Sequence, residues 1–187
     1  MAETYLRRGD IGKTVSLLIA TLNHTYTTDT FREEIKVDKN LPVACATGVS
    51  KDVPDGYGTG DMPEAWGPAN LILLVRDMLF YEDGDSLHVF AGIPANWVAP
   101  GEKLSISSAP TTLGGKLSLD LDYASAGKMT LQFDSTVDVP RAVIRFPLPA
   151  DAKLRSVSVN GKEVSGWNGD TVELSNLSGM QEIQAEF

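Results

Sequence analysis

The chain has little of what metal and redox chemistry needs: one cysteine, Cys45, and two histidines, His24 and His88, among 187 residues. A single cysteine excludes an internal disulfide, and two imidazoles this far apart in sequence have no zinc-ligand spacing. No cofactor is expected from such a set, and no metal site, with only an oxygen-ligated calcium left open. Positive charge is also in the minority, with 16 lysines and arginines against 25 acidic residues and a formal net charge of −9. Without a basic run or aromatic-basic interleaving, no nucleic-acid partner is expected, since phosphate neutralisation needs clustered Lys and Arg. The opening MAETYLRRGDIGK lacks an apolar h-region, so nothing in it directs secretion and localisation stays unknown. No apolar helix approaches the roughly 20 residues that cross a bilayer, so no membrane partner is expected either.

The stretch that organises the rest runs from Gly60 to Pro94. A Gly/Pro-rich approach carrying Asp61, Glu64 and Trp66 leads into an apolar helix, and after EDGD the pattern switches to strand alternation. Gly67 and Pro68 suit a helix start, because proline has no N–H to leave unpaired there, so the helix is predicted over Pro68 to Phe80. Leu71, Ile72, Leu73, Leu74, Val75, Met78, Leu79 and Phe80 occupy most of its circumference. Such a helix is expected to be buried on nearly every side.

Ahead of this, Asp10 can cap a helix with Val15, Leu17, Leu18, Ile19 and Leu22 as its apolar positions, ending near Asn23. Residues 24–66 follow with little sustained period, which reads as a long functional or unstructured loop. Beyond residue 84 the segments SLHVFAGI, EKLSISSA, GKLSLDLDYA, KMTLQFDS, RAVIRFPL, LRSVSVNGKEV, DTVELSN and QEIQAEF alternate as strands, with Gly, Pro, Asn and Asp between them. In GKLSLDLDYA, Leu117, Leu119, Leu121 and Tyr123 fall on one face and Ser118, Asp120 and Asp122 on the other. Asn160-Gly161 is a type I′ hairpin signal that pairs Val157 and Val159 with the segment holding Val164. Trp97 and Trp167 read as core or interface residues. The fold class is therefore α+β: a few N-terminal helices and a long loop, then an antiparallel β-sandwich. A boundary is expected in the acidic turn, giving segments 1–83 and 84–187.

A helix that apolar cannot be covered by one other helix and one sandwich face, so missing upstream helices or self-association are expected as partners. The residues MPEAW at Met62 to Trp66, LILLVRDMLFYEDGDSLHVFAGIP from Leu71 to Pro94, and NWVAPGEKLSISSAPT from Asn96 to Thr111 together resemble the C-terminal end of bacterial six-hairpin glycosidases. In that family twelve helices form an α/α barrel and a β-sandwich follows. The resemblance covers residues 1–110, and from 111 onward it rests on the general character of a sandwich. WGPAN is shorter than the Gly/His-containing run found at this place in relatives, so the sugar is left unnamed.

The resemblance implies glycoside hydrolysis by two carboxyl groups, one donating a proton to the leaving oxygen and one acting on the opposite face of the sugar. It implies residues 1–83 are the last helices of an incomplete barrel, so the chain alone lacks a complete active site. Glu64 matches the family's loop glutamate and is the catalytic candidate, with Trp66 beside it as a sugar-stacking surface. Asp61, Glu33, Glu34 and His24 are the remaining candidates for binding a carbohydrate. The N-terminus of the following helix favours a charged carboxylate by about 0.3–1 kcal/mol, which suits Glu64 to the base or nucleophile role rather than the acid. Two alternatives stand beside this: Glu64 as a helix cap or a partner of Arg32, and the chain as a non-catalytic carbohydrate-binding or structural sandwich module.

Overall fold

In the computed structural model, residues 1–23 and 66–187 are described, with the backbone alone of four short strands and of Trp66 between them. Two helices open the chain. The first, α1 (Ala2–Arg7), has no counterpart among the sequence expectations; it is a single short run that buries Leu6. The second, α2 (Ile11–Leu22), starts where Asp10 predicts it, and the Asp10 carboxylate accepts the Lys13 N–H as an N-cap. Four short strands follow, β1 (Glu34–Ile35), β2 (Val43–Cys45), β3 (Gly48–Ser50) and β4 (Gly58–Thr59), pairing β1 with β4 and β2 with β3.

Helix α3 (Trp66–Leu79) begins slightly before its predicted start and stops one residue short of Phe80. Phe80 instead opens strand β5 (Phe80–Asp83), which turns at Gly84 and Asp85 into β6 (Ser86–Val89). The correction has a tertiary cause: β5 pairs with β6 and Phe80 is fully buried in the strand-side core. The position of the expected boundary, 83/84, falls inside this hairpin, between two strands that pair with each other.

The remaining strands are β7 (Lys103–Pro110), β8 (Lys116–Ser125), β9 (Lys128–Arg145), β10 (Ser156–Val159), β11 (Lys162–Val164), β12 (Trp167–Asn168) and β13 (Thr171–Glu186). With β5 and β6 they make a nine-stranded sheet. The α+β order expected from sequence is therefore what the chain adopts, helices first and strands after. Pairing departs from a purely antiparallel arrangement at one seam, where β6 runs parallel to β9. The connection from β6 to β9 is long enough to contain β7 and β8, and a parallel pair requires such a long return path.

Two predicted strand pairs are each fused into one. KMTLQFDS and RAVIRFPL are continuous in β9, and DTVELSN and QEIQAEF in β13, and the two long strands pair along their length with a register shift between Leu177 and Gly179. The first part of β9 also pairs with β8 and the last part with β6. Along β9 the buried residues are Met129, Leu131, Phe133, Ser135 and Val139, then Ala142 and Ile144. The switch of parity falls at Pro140, which has no N–H for a ladder, and Asn176 on β13 has φ +56° close by. This irregularity turns the inward face without ending either strand.

Leu117, Leu119, Leu121 and Tyr123 are all buried on one face of β8, as their alternation predicts. Val157 and Val159 pair with Val164 and Lys162 around Asn160-Gly161, both at positive φ. Trp167 packs against the core, whereas Trp97 is 43% exposed in a short 3₁₀ turn, which leaves the core alternative to Trp167 alone.

The helices share one buried cluster with the sheet, through Leu6, Leu18, Leu74 and Met78. Three contacts at the α3–β5 junction lock them together. The Arg76 guanidinium donates to both Glu82 carboxylate oxygens at 2.8 and 2.9 Å, with the Glu82 side chain only 6% exposed. Glu82 also accepts the Thr112 N–H at 2.9 Å, and Arg76 reaches the Pro110 carbonyl at 3.3 Å, so the pair ties α3 to the end of β7. Finally, the Gly92 N–H donates to the Met78 carbonyl at 3.1 Å, and a Cβ on Gly92 would lie 2.7 Å from Leu6 and Met78 side-chain atoms and 2.8 Å from the Met78 Cα. Only glycine permits this approach.

The expectation that α3 is covered on nearly every side fails. Leu74 and Met78 are buried, but Ile72, Leu73 and Val75 are 68%, 50% and 43% exposed. The strand-side core covers one face of the helix, and a helix cannot turn its opposite face toward the same surface.

Replacing Glu82 by Ala leaves Arg76 with Asp77 as its remaining carboxylate, at 3.0 Å, and takes the acceptor from the Thr112 N–H, and is expected to cost about 1–3 kcal/mol in urea unfolding. Gly92→Ala is expected to destabilise by about 1–3 kcal/mol through overpacking against α3, measured in the same way.

Candidate functional site

Glu64, Asp61, Glu33 and His24 lie outside the described residues. Glu34 contributes only its backbone, in β1, and Trp66 only its backbone, as the first residue of α3. The proposed accessibility of the Glu64 carboxylate, and its pairing with Arg32, likewise fall outside the described residues. Among the described residues no group of three or more His, Cys, Asp or Glu side chains converges as a metal site. No described helix is long and apolar enough to cross a membrane.

The described residues instead assemble a cleft that the sequence reading missed. Tyr81 on β5 lies directly across from His88 on β6, and His88 lies beside Val143 on β9. These residues lie on the sheet face opposite Leu87, Val89 and Ile144, because successive side chains alternate between faces, and Tyr81 is buried there as part of the same cluster. The turn between α1 and α2 lies over this outer face. Arg7, Arg8, Gly9 and Ile11 form one wall, Tyr81, His88, Ala91 and Val143 form the floor, and Arg145 with Thr171 close one end, enclosing about 340 Å³.

The floor contains two aromatic rings packed face to face on each other. The Tyr81 and His88 rings stack at 4.6 Å between centroids and 7° between planes, and the Arg7 guanidinium sits 4.7 Å from the Tyr81 ring centre. Burial holds the His88 imidazole below its ordinary pKa, helped by Arg141 and Arg7 and opposed by Asp83. Burial also pushes the Tyr81 phenol upward, against the pull of Arg7. Both rings are therefore neutral at pH 7.

The charge in the cleft comes from arginines. Arg145 uses its Nε on the Asp170 carboxylate at 2.7 Å and one Nη on the Ile93 carbonyl at 2.8 Å. Arg7 stands 3.9 Å from Asp77, an ion pair beyond hydrogen-bond distance. Arg8 has no ion-pair partner among the described residues. No carboxylate belongs to the lining. A larger hollow of about 450 Å³ between Tyr123, Pro149 and the 151–155 segment mixes Asp151 with Lys153 and Arg155 and has no comparable bias.

The signal that pointed to this cleft was present in the sequence only as RR at residues 7 and 8 and as the isolated His88. Neither is informative until the β5–β6 hairpin and the α1–α2 turn are brought together. No protein-family model matches the chain, and no curated protein matches it.

His88 provides a pH test. Its pKa is lower folded than unfolded, so the unfolded state takes up the proton first as pH falls. Stability should be fully present above the unfolded histidine pKa near 6.5 and should decline below it. The charged groups that act on the ring are Asp83, Arg141 and Arg7. Denaturant unfolding between pH 8 and pH 5 should therefore show a downward slope that His88→Gln flattens.

Proposed function

We propose that this chain is the C-terminal portion of a glycoside hydrolase of the six-hairpin kind, in which the β-rich segment buttresses late helices of an α/α barrel. The observation that carries this reading is the two-faced α3. One apolar face, with Leu74 and Met78, is covered by the strand-side core, while Ile72, Leu73 and Val75 form an open apolar face opposite. A last barrel helix, lodged between an appended β-domain and the next helices of a barrel, requires that distribution. Further barrel helices are the proposed cover for the open face.

In this reading Glu64 is the ionised catalytic carboxylate, held just ahead of the α3 N-terminus, and the acid comes from an earlier barrel loop. Asp61, Trp66, Glu33, Glu34 and His24 would contact the sugar. An alternative is a non-catalytic carbohydrate-binding or structural module. The cleft under the α1–α2 turn favours it, because it has donors and aromatic ring edges but no carboxylate to serve as a catalytic acid.

Activity on a panel of glycosides, comparing residues 1–187 with a longer polypeptide carrying the upstream reading frame, separates the two. Turnover by the longer protein alone is the expected result, and Glu64→Gln within it should lower kcat by about 100-fold or more without changing the melting temperature. Near-normal activity of that variant would remove Glu64 from the mechanism. For the 1–187 chain, replacing Ile72 and Leu73 together by Glu is expected to reduce concentration-dependent association seen by sedimentation, because these residues present the open apolar face.

A further inference from the structure

We propose that the cleft between the α1–α2 turn and the outer face of β5, β6 and β9 binds a small molecule carrying a carboxylate or phosphate group. The first ground is electrostatic. Arg7, Arg8 and Arg145 line a single hollow with no carboxylate among its lining residues, in a chain whose formal net charge is −9. Like charges gathered in a concave site raise the local concentration of the opposite ion, and a low-dielectric wall strengthens the effect. Surface placement of arginines for solubility would not concentrate them against the overall sign of the protein.

The second ground is donor capacity. Guanidinium groups present five N–H donors in a planar fork that matches the oxygens of carboxylate and phosphate. Here the internal partners use few of them. Arg145 is bound through Nε and one Nη, Arg7 has only a 3.9 Å approach to Asp77, and Arg8 has no ion-pair partner among the described residues. Arg7 and Arg8 are exposed, the Arg7 side chain at 48%.

Shape supplies the third ground and sets the rest of the ligand. A volume of about 340 Å³ lies at the lower end of the range for small-molecule sites. Its floor is the Tyr81–His88 stack, flanked by the apolar Ala91 and Val143. A ring of monosaccharide size would pack against Ala91, Val143 and the edges of these rings while its anionic group met the arginines at the rim. This proposal stands independently of the glycosidase reading, because it uses none of the residues assigned to hydrolysis.

Titration of the isotopically labelled 187-residue chain with glucuronate, glucose 6-phosphate, inorganic phosphate and glucose, followed by NMR, tests it. Saturable shifts at the amides of Arg7 to Ile11 and at the His88 ring are expected with at least one of the two anionic sugars, at least 10-fold tighter than with glucose. Preference for glucuronate would identify a carboxylate ligand, and preference for glucose 6-phosphate or inorganic phosphate a phosphate one. Arg8→Glu should weaken binding at least 10-fold, and Arg8→Lys should retain most of it, with melting temperatures checking that both remain folded. Glucose binding as tightly as the anions, no saturable shift with any anion, or unchanged affinity in folded Arg8→Glu would overturn the proposal.

Discussion

The structure depends on the ion pair between Arg76 and Glu82, which sits where a helix becomes a strand without an intervening loop. Helix α3 ends at Leu79 and β5 begins at Phe80, so any rotation at this point would swing all the helices relative to the sheet. A buried charge pair is costly to desolvate and is favourable only when its remaining hydrogen-bonding capacity is met. Here it is met by the Thr112 N–H and the Pro110 carbonyl, and the Arg76 guanidinium lies 4.4 Å from the centre of the Phe80 ring. The directional bonds therefore specify an angle that hydrophobic contact alone would leave loose. The approach of Gly92 to Met78 and Leu6 fixes the same joint from its other side.

That fixed joint has consequences at two distant surfaces. Because α3 can present only one face to the strand-side core, its other apolar face stays open at Ile72, Leu73 and Val75. Because α1 is anchored by Leu6 against the same core, the arginines that follow it are carried over Tyr81 and His88. The first surface is suited to a helical partner and the second to a small anion. A single rigid junction thus couples an apolar interface with a charged cleft, although the residues of the two are unrelated in chemistry.

Within the sheet, the equivalent constraint is the irregularity shared by β9 and β13. Pro140 withdraws a donor and Asn176 takes a left-handed conformation, so the inward face changes parity while both strands continue. The first part of β9 can then pair with β8 and the last part with β6, and the entire core remains one cluster. The parallel β6–β9 seam is what places His88 next to Val143, and so it also builds the floor of the cleft.

Local patterns determined much of the fold. Asp10 specified the start of α2 because a carboxylate cap acts within its own turn, and Leu117, Leu119, Leu121 and Tyr123 specified a buried face because alternation is a property of the strand itself. Asn160-Gly161 specified a hairpin because few residue pairs tolerate positive φ in succession. Phe80, in contrast, is as compatible with the last turn of a helix as with a strand, and pairing with Val89 decided between them. Pro140 read as a break between strands, yet the β9–β13 ladder carries the chain through it. Of the candidate site residues named from sequence, none has a described side chain, whereas the cleft consists of residues to which sequence assigned no site role. The Arg7–Arg8 pair, His88 and Arg145 come from three separated points in the chain, and no local period or spacing relates them. Their meeting was decided by tertiary structure alone, because it follows from where the α3–β5 junction and the parallel seam set the helices and strands against each other.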